Sequence, residues 1–254
     1  MIAKKVRRQL LDSVLARVFA DYHLDPLEVF YHKDNDLVLP IISKSGCTSL
    51  KDSFIRSVVP GFDKPFDLIH KIDPKVETNG AIERLFFDTV SGYKRFCEGK
   101  NVRIVVRHPE ARLFSAFTDH VVGKNPVYKW NIVERTLCGI CEQTDYPSFT
   151  SRVSRISPNL CDRHFKPQSV FLMSNPEVTR TYGVLKLEGL VDSWKIDPIL
   201  ASLPSPRIMN KNAYDVNDGG YELLGESEWS ELAKLYLEDF SLYGLLSERG
   251  GAQQ

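Results

Sequence analysis

The sequence predicts an α/β fold with a parallel sheet that is flanked by helices. Two segments, 37–43 and 102–106, are apolar runs of the length typical of buried strands. Each precedes a predicted helix, because apolar residues recur at helical spacing over 48–59 and Pro109 suits the first turn of the second helix. Since strands that alternate with helices form parallel sheets, we expect a ligand at the carboxyl ends of both strands.

Further elements extend the α/β order along the chain. They are assigned from apolar periodicity, from polar turns and, at the closing helix, from a glycine suited to a C-cap. In chain order they are a strand at 27–32, a polar turn at 33–36, a helix at 80–99, a strand at 182–190 and a helix at 227–244 that is capped near Gly244.

The length of the chain suits one sizeable core, so we predict a single domain over 1–254. Apolar residues at helical spacing predict an N-terminal amphipathic helix over 1–24, in which Asp12 and Arg17 interrupt the apolar run that a signal peptide requires. No apolar run approaches the roughly 20 residues that cross a bilayer. We therefore expect a cytoplasmic protein without an integral membrane segment, or one of the Golgi lumen if an N-terminal anchor has been removed.

Charge and composition argue against some classes of partner. Lys plus Arg and Asp plus Glu number 33 each, so the chain has no global field that would attract nucleic acid or an anionic membrane. A hydrophobic content of 43% and a charged content of 26% are ordinary for a globular protein. A polyanionic ligand would therefore have to be bound by a local patch.

A loop of small and hydroxyl-bearing residues, 43–49, lies between the first buried strand and its helix. The free amides and the dipole of a helix N-terminus make such a loop an anion site. The loop is P-loop-like but differs from a Walker A loop, G-x-x-x-x-G-K-[ST], because Lys44 precedes Gly46. Lys44 can place a cation beside a phosphate without a metal.

A second anion-binding cluster follows the strand at 102–106. Arg107 ends this strand, and Ser115 lies two turns into the next helix. Both can converge on one more anion, so the predicted ligand has two separate phosphate groups. Arg112 has two alternative roles, which are contact with the same anion and a surface salt bridge.

Five motifs in the same order resemble those of sulfotransferases that use 3′-phosphoadenylyl sulfate (PAPS). The closest resemblance is to the carbohydrate branch, of the galactosamine 4-O or glucuronyl sulfotransferase type. SKSGCTSL is similar to the loop P-K-x-x-C/G-T-S/N, with serine in place of proline, and VRHPEARLFSAF fits V-R-x-P-x-x-R-L-x-S-A-F/Y at every fixed position. DRHFKPQ resembles D-R-H-W-x-P-Q with phenylalanine for tryptophan, YGVLKLEGL resembles Y-D-x-I-G-K-x-E-T-L, and LYLEDFSLYG resembles L-Y-x-x-D-F-x-L-F-G-Y.

The resemblance implies transfer of a sulfuryl group from PAPS to a hydroxyl of a saccharide or glycoconjugate by in-line displacement. The product nucleotide would be 3′-phosphoadenosine 5′-phosphate, and no metal would be required. Lys44 would bind the leaving phosphate oxygen, while Arg107 and Ser115 would bind the 3′-phosphate. The residues implied in donor binding are Lys44, Ser45, Gly46, Cys47, Thr48, Ser49, Arg107 and Ser115.

An acceptor hydroxyl must lose its proton, so a general base is needed. His70 lies between the loop and the strand at 102–106, where the family carries a histidine that is implied as the base. His164, in DRHFKPQ, is the rival, and a carboxylate such as Asp52 or Glu188 is the remaining alternative. An unperturbed histidine pKa of about 6.5 suits either histidine at neutral pH.

The segment 125–176 is predicted to be an irregular insertion that covers the substrate. Its aromatic residues, such as Phe149 and Phe165, make it too apolar for a disordered segment. Its basic residues offer cations to an acidic sugar, although a solvated face explains them equally well. These basic residues are Arg135, Arg152, Arg155, Arg163 and Lys166, and the candidate substrate-binding residues are Arg163, His164 and Lys166.

Five cysteines, an odd number, argue against a complete disulfide framework. Cys138-x-x-Cys141 and Cys161-x-x-His164 have zinc-ligand spacing within each pair. A disulfide between Cys161 and one of the first pair is a further alternative. We expect free thiols and no metal, because His164 already belongs to the DRHFKPQ motif.

Two other functions stay open. A P-loop-type phosphotransferase or kinase would bind ATP with magnesium, but the Gly-Lys-Ser/Thr order that it needs is missing. A non-catalytic nucleotide- or glycan-binding module would not need Lys44, Arg107, Ser115 and a candidate base together.

Overall fold

The computed structural model describes residues 21–122, 139–141, 143–207 and 224–244. Its strands are β1 (Tyr22–His32), β2 (Leu37–Pro40), β3 (Ile82–Thr89), β4 (Asn101–Val106) and β5 (Thr181–Lys186). They form one sheet in the order β3-β1-β2-β4-β5.

The centre of the sheet is parallel, and the predicted α/β fold class is confirmed. β2, β4 and β5 run in the same direction, with Leu37 opposite Asn101 and Asn101 opposite Thr181. β1 is antiparallel to both β2 and β3. The polar turn at 33–36 joins β1 to β2, and a connection this short suits antiparallel neighbours. The carboxyl ends of β2, β4 and β5 therefore lie at one edge of the sheet.

Apolar side chains cover both faces of the sheet. Val102, Ile104 and Val106 of β4 belong to one buried cluster, whereas Val105 belongs to a second cluster with Phe54. Every residue of β4 is buried, which explains its continuous apolar sequence.

The α-helices of the described residues are α1 (Cys47–Val58), α2 (Phe66–Ile69), α3 (Pro74–Glu77), α4 (Val90–Cys97), α5 (Pro109–Phe117), α6 (Tyr146–Val153), α7 (Leu190–Ile196), α8 (Glu226–Leu235) and α9 (Leu237–Tyr243). A π-helical turn spans Thr118–Val122, and 3₁₀-helices span Gln168–Phe171, Pro176–Val178 and Leu200–Ser202.

The helix predicted at 80–99 is wrong in its first half. β3 occupies that half, and α4 follows it. β3 pairs with β1 from Ile82 to Thr89. Pairing with a neighbouring strand decides the conformation of this segment, because strand formation depends on tertiary context more than on local pattern.

The N-terminal helix predicted over 1–24 is wrong at its end. β1 begins at Tyr22, which pairs with Thr89 of β3. Residues 1–20 lie outside the described part of the chain, so the helix there stays a prediction. Across the described ranges, no helix is both long and apolar enough to cross a bilayer.

The insertion predicted at 125–176 packs into the core where the structure describes it. Phe149 of α6 and Phe165 in the segment after it join residues of α5, α8 and α9 in one apolar cluster. Their burial agrees with the apolar composition of the segment. Residues 123–138 and 142 lie outside the described residues, and the substrate-covering role stays a prediction.

The closing helix predicted at 227–244 consists of α8 and α9. Tyr236 separates them with φ −106° and ψ 23°, outside the α-helical range. Its buried hydroxyl donates to the carbonyl oxygen of Phe165, so the break ties the C-terminal helices to the insertion. Gly244 caps α9 with φ 81°, as the sequence predicts.

Candidate functional site

The carboxyl ends of β2, β4 and β5 bring three loops together. Residues 41–46 follow β2, Arg107 follows β4 and Leu187 follows β5. The Arg107 guanidinium donates to the Lys44 carbonyl oxygen, with 3.3 Å between Nη1 and O. The Leu187 amide donates to the Val106 carbonyl oxygen at 2.7 Å. The two segments predicted to bind separate anions are therefore neighbours.

The loop after β2 has a backbone conformation suited to an anion. Lys44 (φ 65°) and Gly46 (φ 77°) both adopt the left-handed region, and turns of this kind form amide-lined concavities. Among the described residues no side chain caps the start of α1, and its first turn carries no acidic residue. The amides of residues 47–49 precede the first hydrogen bond of the helix, which runs from the Leu50 amide to the Gly46 carbonyl oxygen. They therefore lack an acceptor within the helix, and the helix dipole favours an acceptor that carries negative charge.

Glycine at position 46 allows two loops to approach each other closely. A Cβ at Gly46 would lie 2.7 Å from Cδ1 of Leu187, in addition to the strain of a positive φ. The loop after β2 is therefore packed directly against the loop after β5.

Lys44, the predicted catalytic lysine, is held by a carboxylate. Its ammonium contacts Oδ2 of Asp119, which belongs to the π-helical turn after α5. Such turns are frequent at functional sites. The Lys44 side chain is 17% exposed and that of Asp119 is 35% exposed, so an anion that enters the loop would compete with Asp119 for this ammonium.

Thr48 of α1 and His70, two residues predicted separately, are in direct contact. Thr48 Oγ1 lies 2.8 Å from Nε2 of His70, and Nδ1 of the same ring lies 3.5 Å from Nζ of Lys51. Although the residue as a whole is exposed, desolvation of the ring, reinforced by the charge of Lys51, lowers the pKa of His70 to about 4. His70 is therefore a neutral imidazole at neutral pH, which is the form that can accept a proton.

A buried ion-pair network adjoins His70 through Lys51. Lys51 Nζ donates to Oε1 of Glu28 at 2.6 Å, and Arg84 Nε donates to the same oxygen at 2.8 Å. Arg163 Nη1 lies 3.4 Å from Oε2 of Glu28. Burial disfavours the charged carboxylate, but Lys51 and Arg84 hold the pKa of Glu28 below its ordinary value. The sequence signal for this network is Glu28, the one acidic residue within the strand predicted at 27–32.

Residues of the loop differ in what their side chains contact. Ser45 is buried, and its hydroxyl donates to Oε1 of Gln168 at 3.0 Å. Cys47 and Ser49 are half-buried in the first turn of α1. Donor binding by these residues stays a prediction, while the Ser45 hydroxyl holds the loop against the segment that contains Gln168.

The segment after β4 places its basic residues differently from the sequence-based expectation. The surface salt bridge considered for Arg112 is wrong, because this side chain is 1% exposed. Its Nε donates to the Ser43 carbonyl oxygen and its Nη2 to the Arg163 carbonyl oxygen, each at 2.9 Å, and burial lowers the pKa of the guanidinium. Ser115 is buried in α5. Binding of one anion by Ser115 and Arg107 together stays a prediction.

The basic residues of DRHFKPQ contact the chain itself. Arg163 pairs with Asp25, with 2.5 Å between Nη2 and Oδ1. Lys166 is 2% exposed, its ammonium donates to the Asp25 carbonyl oxygen, and burial lowers the pKa of Lys166 to about 8. Nδ1 of His164 lies 2.5 Å from Oδ1 of Asp162. Acceptor binding by Arg163, His164 and Lys166 stays a prediction.

The carboxylates considered as alternative bases have partners in the structure. Asp52 is buried in α1 and accepts from Nε of Arg56 at 2.7 Å. Glu188 accepts from the His108 amide at 3.2 Å and from the Tyr243 hydroxyl at 2.7 Å. Asp52 is separated from an acceptor hydroxyl by its burial, whereas Glu188 already accepts a hydrogen bond on each carboxylate oxygen.

The cysteines with zinc-ligand spacing differ in exposure. Cys161 is buried with its Sγ 3.8 Å from the Ile156 carbonyl oxygen, whereas Cys141 is exposed. Within the described ranges, no three or more His, Cys, Asp and Glu side chains are grouped so as to hold a metal ion. Cys138 lies outside those ranges, so the zinc and disulfide alternatives that include it stay open.

The fold and the site define an α/β protein in which a loop suited to an anion lies at the carboxyl ends of the parallel strands β2, β4 and β5. The chain belongs to the sulfotransferase family, whose family model matches residues 27–245. Comparisons with curated proteins and with solved structures gave no significant match. The motif resemblance is thus confirmed at the level of the family, and the chain is a transferase of sulfuryl groups.

Proposed function

We propose that this chain transfers the sulfuryl group of PAPS to a hydroxyl of a saccharide or glycoconjugate. The observation that carries the proposal is the contact between the two anion segments, in which Arg107 Nη1 lies 3.3 Å from the Lys44 carbonyl oxygen. One ligand with a phosphate at each end can contact both segments. A nucleotide with a 5′-phosphosulfate and a 3′-phosphate is such a ligand.

The 5′ end of the donor is assigned to the loop after β2. The first-turn amides of α1, the Thr48 hydroxyl and Lys44 would bind the 5′-phosphosulfate, because hydrogen-bond donors, the helix dipole and a cation all favour an anion there. Arg107 and Ser115 would bind the 3′-phosphate. Since side chains supply the positive charge, the proposal requires no metal ion.

Transfer is proposed to proceed by in-line displacement. The acceptor oxygen attacks sulfur as the S–O bond to the 5′-phosphate breaks, and 3′-phosphoadenosine 5′-phosphate leaves. Lys44 would stabilise the charge that develops on the leaving oxygen. His70 would take the acceptor proton on Nε2, the atom that contacts Thr48. We prefer it to His164 because it lies beside the donor loop, whereas Nδ1 of His164 contacts Asp162.

A saccharide acceptor is proposed from the motif resemblance and from polar groups near the site. The side chains of Arg163 and His164 are 35% and 28% exposed, and Arg163 belongs to the network that includes Lys51. Guanidinium and imidazole groups can donate hydrogen bonds to the hydroxyls or carboxylates of a sugar. The insertion at 125–176 would complete the acceptor site.

The proposal is tested by following labelled sulfuryl groups from PAPS to a panel of acceptors without added metal. The panel contains oligosaccharides of galactosamine and glucuronic acid, a simple phenol and a tyrosine peptide. We expect label in the oligosaccharides and release of 3′-phosphoadenosine 5′-phosphate in equal amount. Label in the phenol or peptide alone would contradict the acceptor class, and no transfer to any acceptor would contradict the activity.

A further inference from the structure

Gln168 occupies a buried position between the two predicted donor-binding segments. It is 1% exposed and begins the 3₁₀-helix Gln168–Phe171. It is the last residue of the DRHFKPQ motif, and the proposed mechanism gives it no role.

The side-chain amide of Gln168 is hydrogen-bonded to both segments at once. Oε1 accepts from Ser45 Oγ at 3.0 Å and from the Arg107 amide at 2.9 Å. Nε2 donates to the Arg107 carbonyl oxygen at 2.8 Å. One carboxamide thus satisfies the backbone donor and the backbone acceptor of Arg107 while it holds the Ser45 hydroxyl. A carboxylate would not reproduce this pattern, because it accepts but does not donate.

The backbone of Gln168 is fixed by the C-terminal helices. The amides of Gln168 and Ser169 each donate to the Asp239 carboxylate at 2.8 Å. Asp239 is 1% exposed and lies on α9. We call Ser45, Arg107, Gln168 and Asp239 the glutamine clamp, because they connect both donor segments to the core through a continuous chain of hydrogen bonds.

We propose that Gln168 is a positioning residue that sets the separation between the Lys44 loop and the Arg107 segment. The inference rests on the proposed function, in which one nucleotide contacts the two segments with different phosphate groups. Binding at one end raises the effective concentration of the other end only while the geometry permits both contacts. Loosening the glutamine clamp therefore weakens a nucleotide that contacts both segments and spares one that contacts a single segment.

The test is calorimetric titration of Gln168→Leu, which removes the side-chain hydrogen bonds at similar volume. 3′-Phosphoadenosine 5′-phosphate engages both segments, whereas adenosine 5′-phosphate and adenosine 3′-phosphate engage one each. We expect the Kd of the bisphosphate to rise roughly ten- to a hundredfold, the scale of losing buried hydrogen bonds. The Kd of each monophosphate should rise less than about threefold, since its single segment keeps its ligands.

Asn101→Leu is the matched control. Asn101 is also a buried amide, but it lies at the amino end of β4, at the sheet edge opposite the site. Its Nδ2 donates to the Asn35 carbonyl oxygen at 2.8 Å, and its Oδ1 accepts from Thr181 Oγ1 at 2.9 Å. Asn101→Leu should lower the thermal stability as Gln168→Leu does, without a selective loss of bisphosphate binding.

A second variant keeps the test decisive if Gln168→Leu does not fold. Gln168→Asn keeps an amide but shortens the side chain that reaches Ser45 and Arg107, and we expect a smaller rise in Kd that is again confined to the bisphosphate. An equal loss for all three nucleotides, or no loss, would overturn the positioning role. A wild-type chain without preference for the bisphosphate would instead overturn the proposed function on which this role rests.

Discussion

Replacement of Lys44 with alanine is expected to reduce sulfuryl transfer by about 10²–10³-fold, the scale of losing one group that stabilises a developing oxyanion. In the proposed mechanism the Lys44 ammonium meets the charge that appears on the leaving phosphate oxygen. Because this interaction is strongest in the transition state, the loss should fall mainly on kcat. Steady-state kinetics with varied PAPS measures it.

The fold of the Lys44→Ala variant should be preserved. The contact between Lys44 and Asp119 is a partly exposed ion pair, and such pairs contribute about 0–1 kcal/mol to stability. Lys195→Ala is the control, since Lys195 lies 3.7 Å from Asp192 on the exposed side of α7 and should change neither turnover nor thermal unfolding. Full activity in Lys44→Ala would remove Lys44 from the mechanism.

Replacement of His70 with glutamine is expected to lower kcat by about 10²–10⁴-fold, the usual contribution of a general base. Glutamine can still form a hydrogen bond with the Thr48 hydroxyl, but it cannot take a proton at neutral pH. Binding of 3′-phosphoadenosine 5′-phosphate should change little, because the role of His70 concerns the acceptor. The measurement is kcat at saturating PAPS and acceptor.

His32→Gln is the matched control for His70→Gln. His32 is buried in β1, and its Nε2 lies 3.0 Å from Ser57 Oγ, near the end of α1 opposite to Thr48. The His32→Gln variant should retain kcat, because His32 contacts α1 away from the proposed site. An undiminished rate in His70→Gln, together with a loss in His164→Gln, would assign the base to His164.

The pH dependence of the rate provides a second readout for His70. Its pKa of about 4 lies below the ordinary value of 6.5, so the ring stays neutral in the free enzyme until the pH falls to about 4. The acidic limb of kcat/KM for PAPS reports groups of the free enzyme and is expected near this lower value. A limb near pH 6.5 would contradict the assignment.

The lowered pKa of His70 also makes folding stability depend on pH. Between the folded value of about 4 and the ordinary value of 6.5, the ring binds a proton in the unfolded chain but not in the folded chain. The free energy of unfolding therefore decreases as the pH falls through this range.

The parallel centre of the sheet could be predicted because its signals are local. β2 and β4 are apolar runs. Apolar periodicity over 48–59 predicts the helix after β2, and Pro109 marks the start of the helix after β4. β3 could not be predicted in this way. Its sequence, IERLFFDT, alternates poorly, and its partner β1 lies far along the chain. Its conformation therefore depends on pairing that no local pattern encodes.

The loop and its lysine could be predicted from residue type and spacing, whereas the side-chain contacts that organise them could not. Gln168 lies 123 positions from Ser45, and Asp119 lies 75 positions from Lys44. Hydrogen bonds over such separations follow from the packed fold rather than from a motif. The burial of Arg112 is a similar case, because an arginine in an amphipathic helix more often faces solvent.

Binding of one nucleotide through two separate phosphate groups is tested most directly by calorimetric titration without magnesium. The ligands are 3′-phosphoadenosine 5′-phosphate, adenosine 5′-phosphate and ATP. We predict that only 3′-phosphoadenosine 5′-phosphate binds tightly. In Arg107→Ala its affinity should fall to that of adenosine 5′-phosphate. Binding of ATP alone, or no binding without magnesium, would contradict the sulfotransferase mechanism and favour a phosphotransferase or a non-catalytic module.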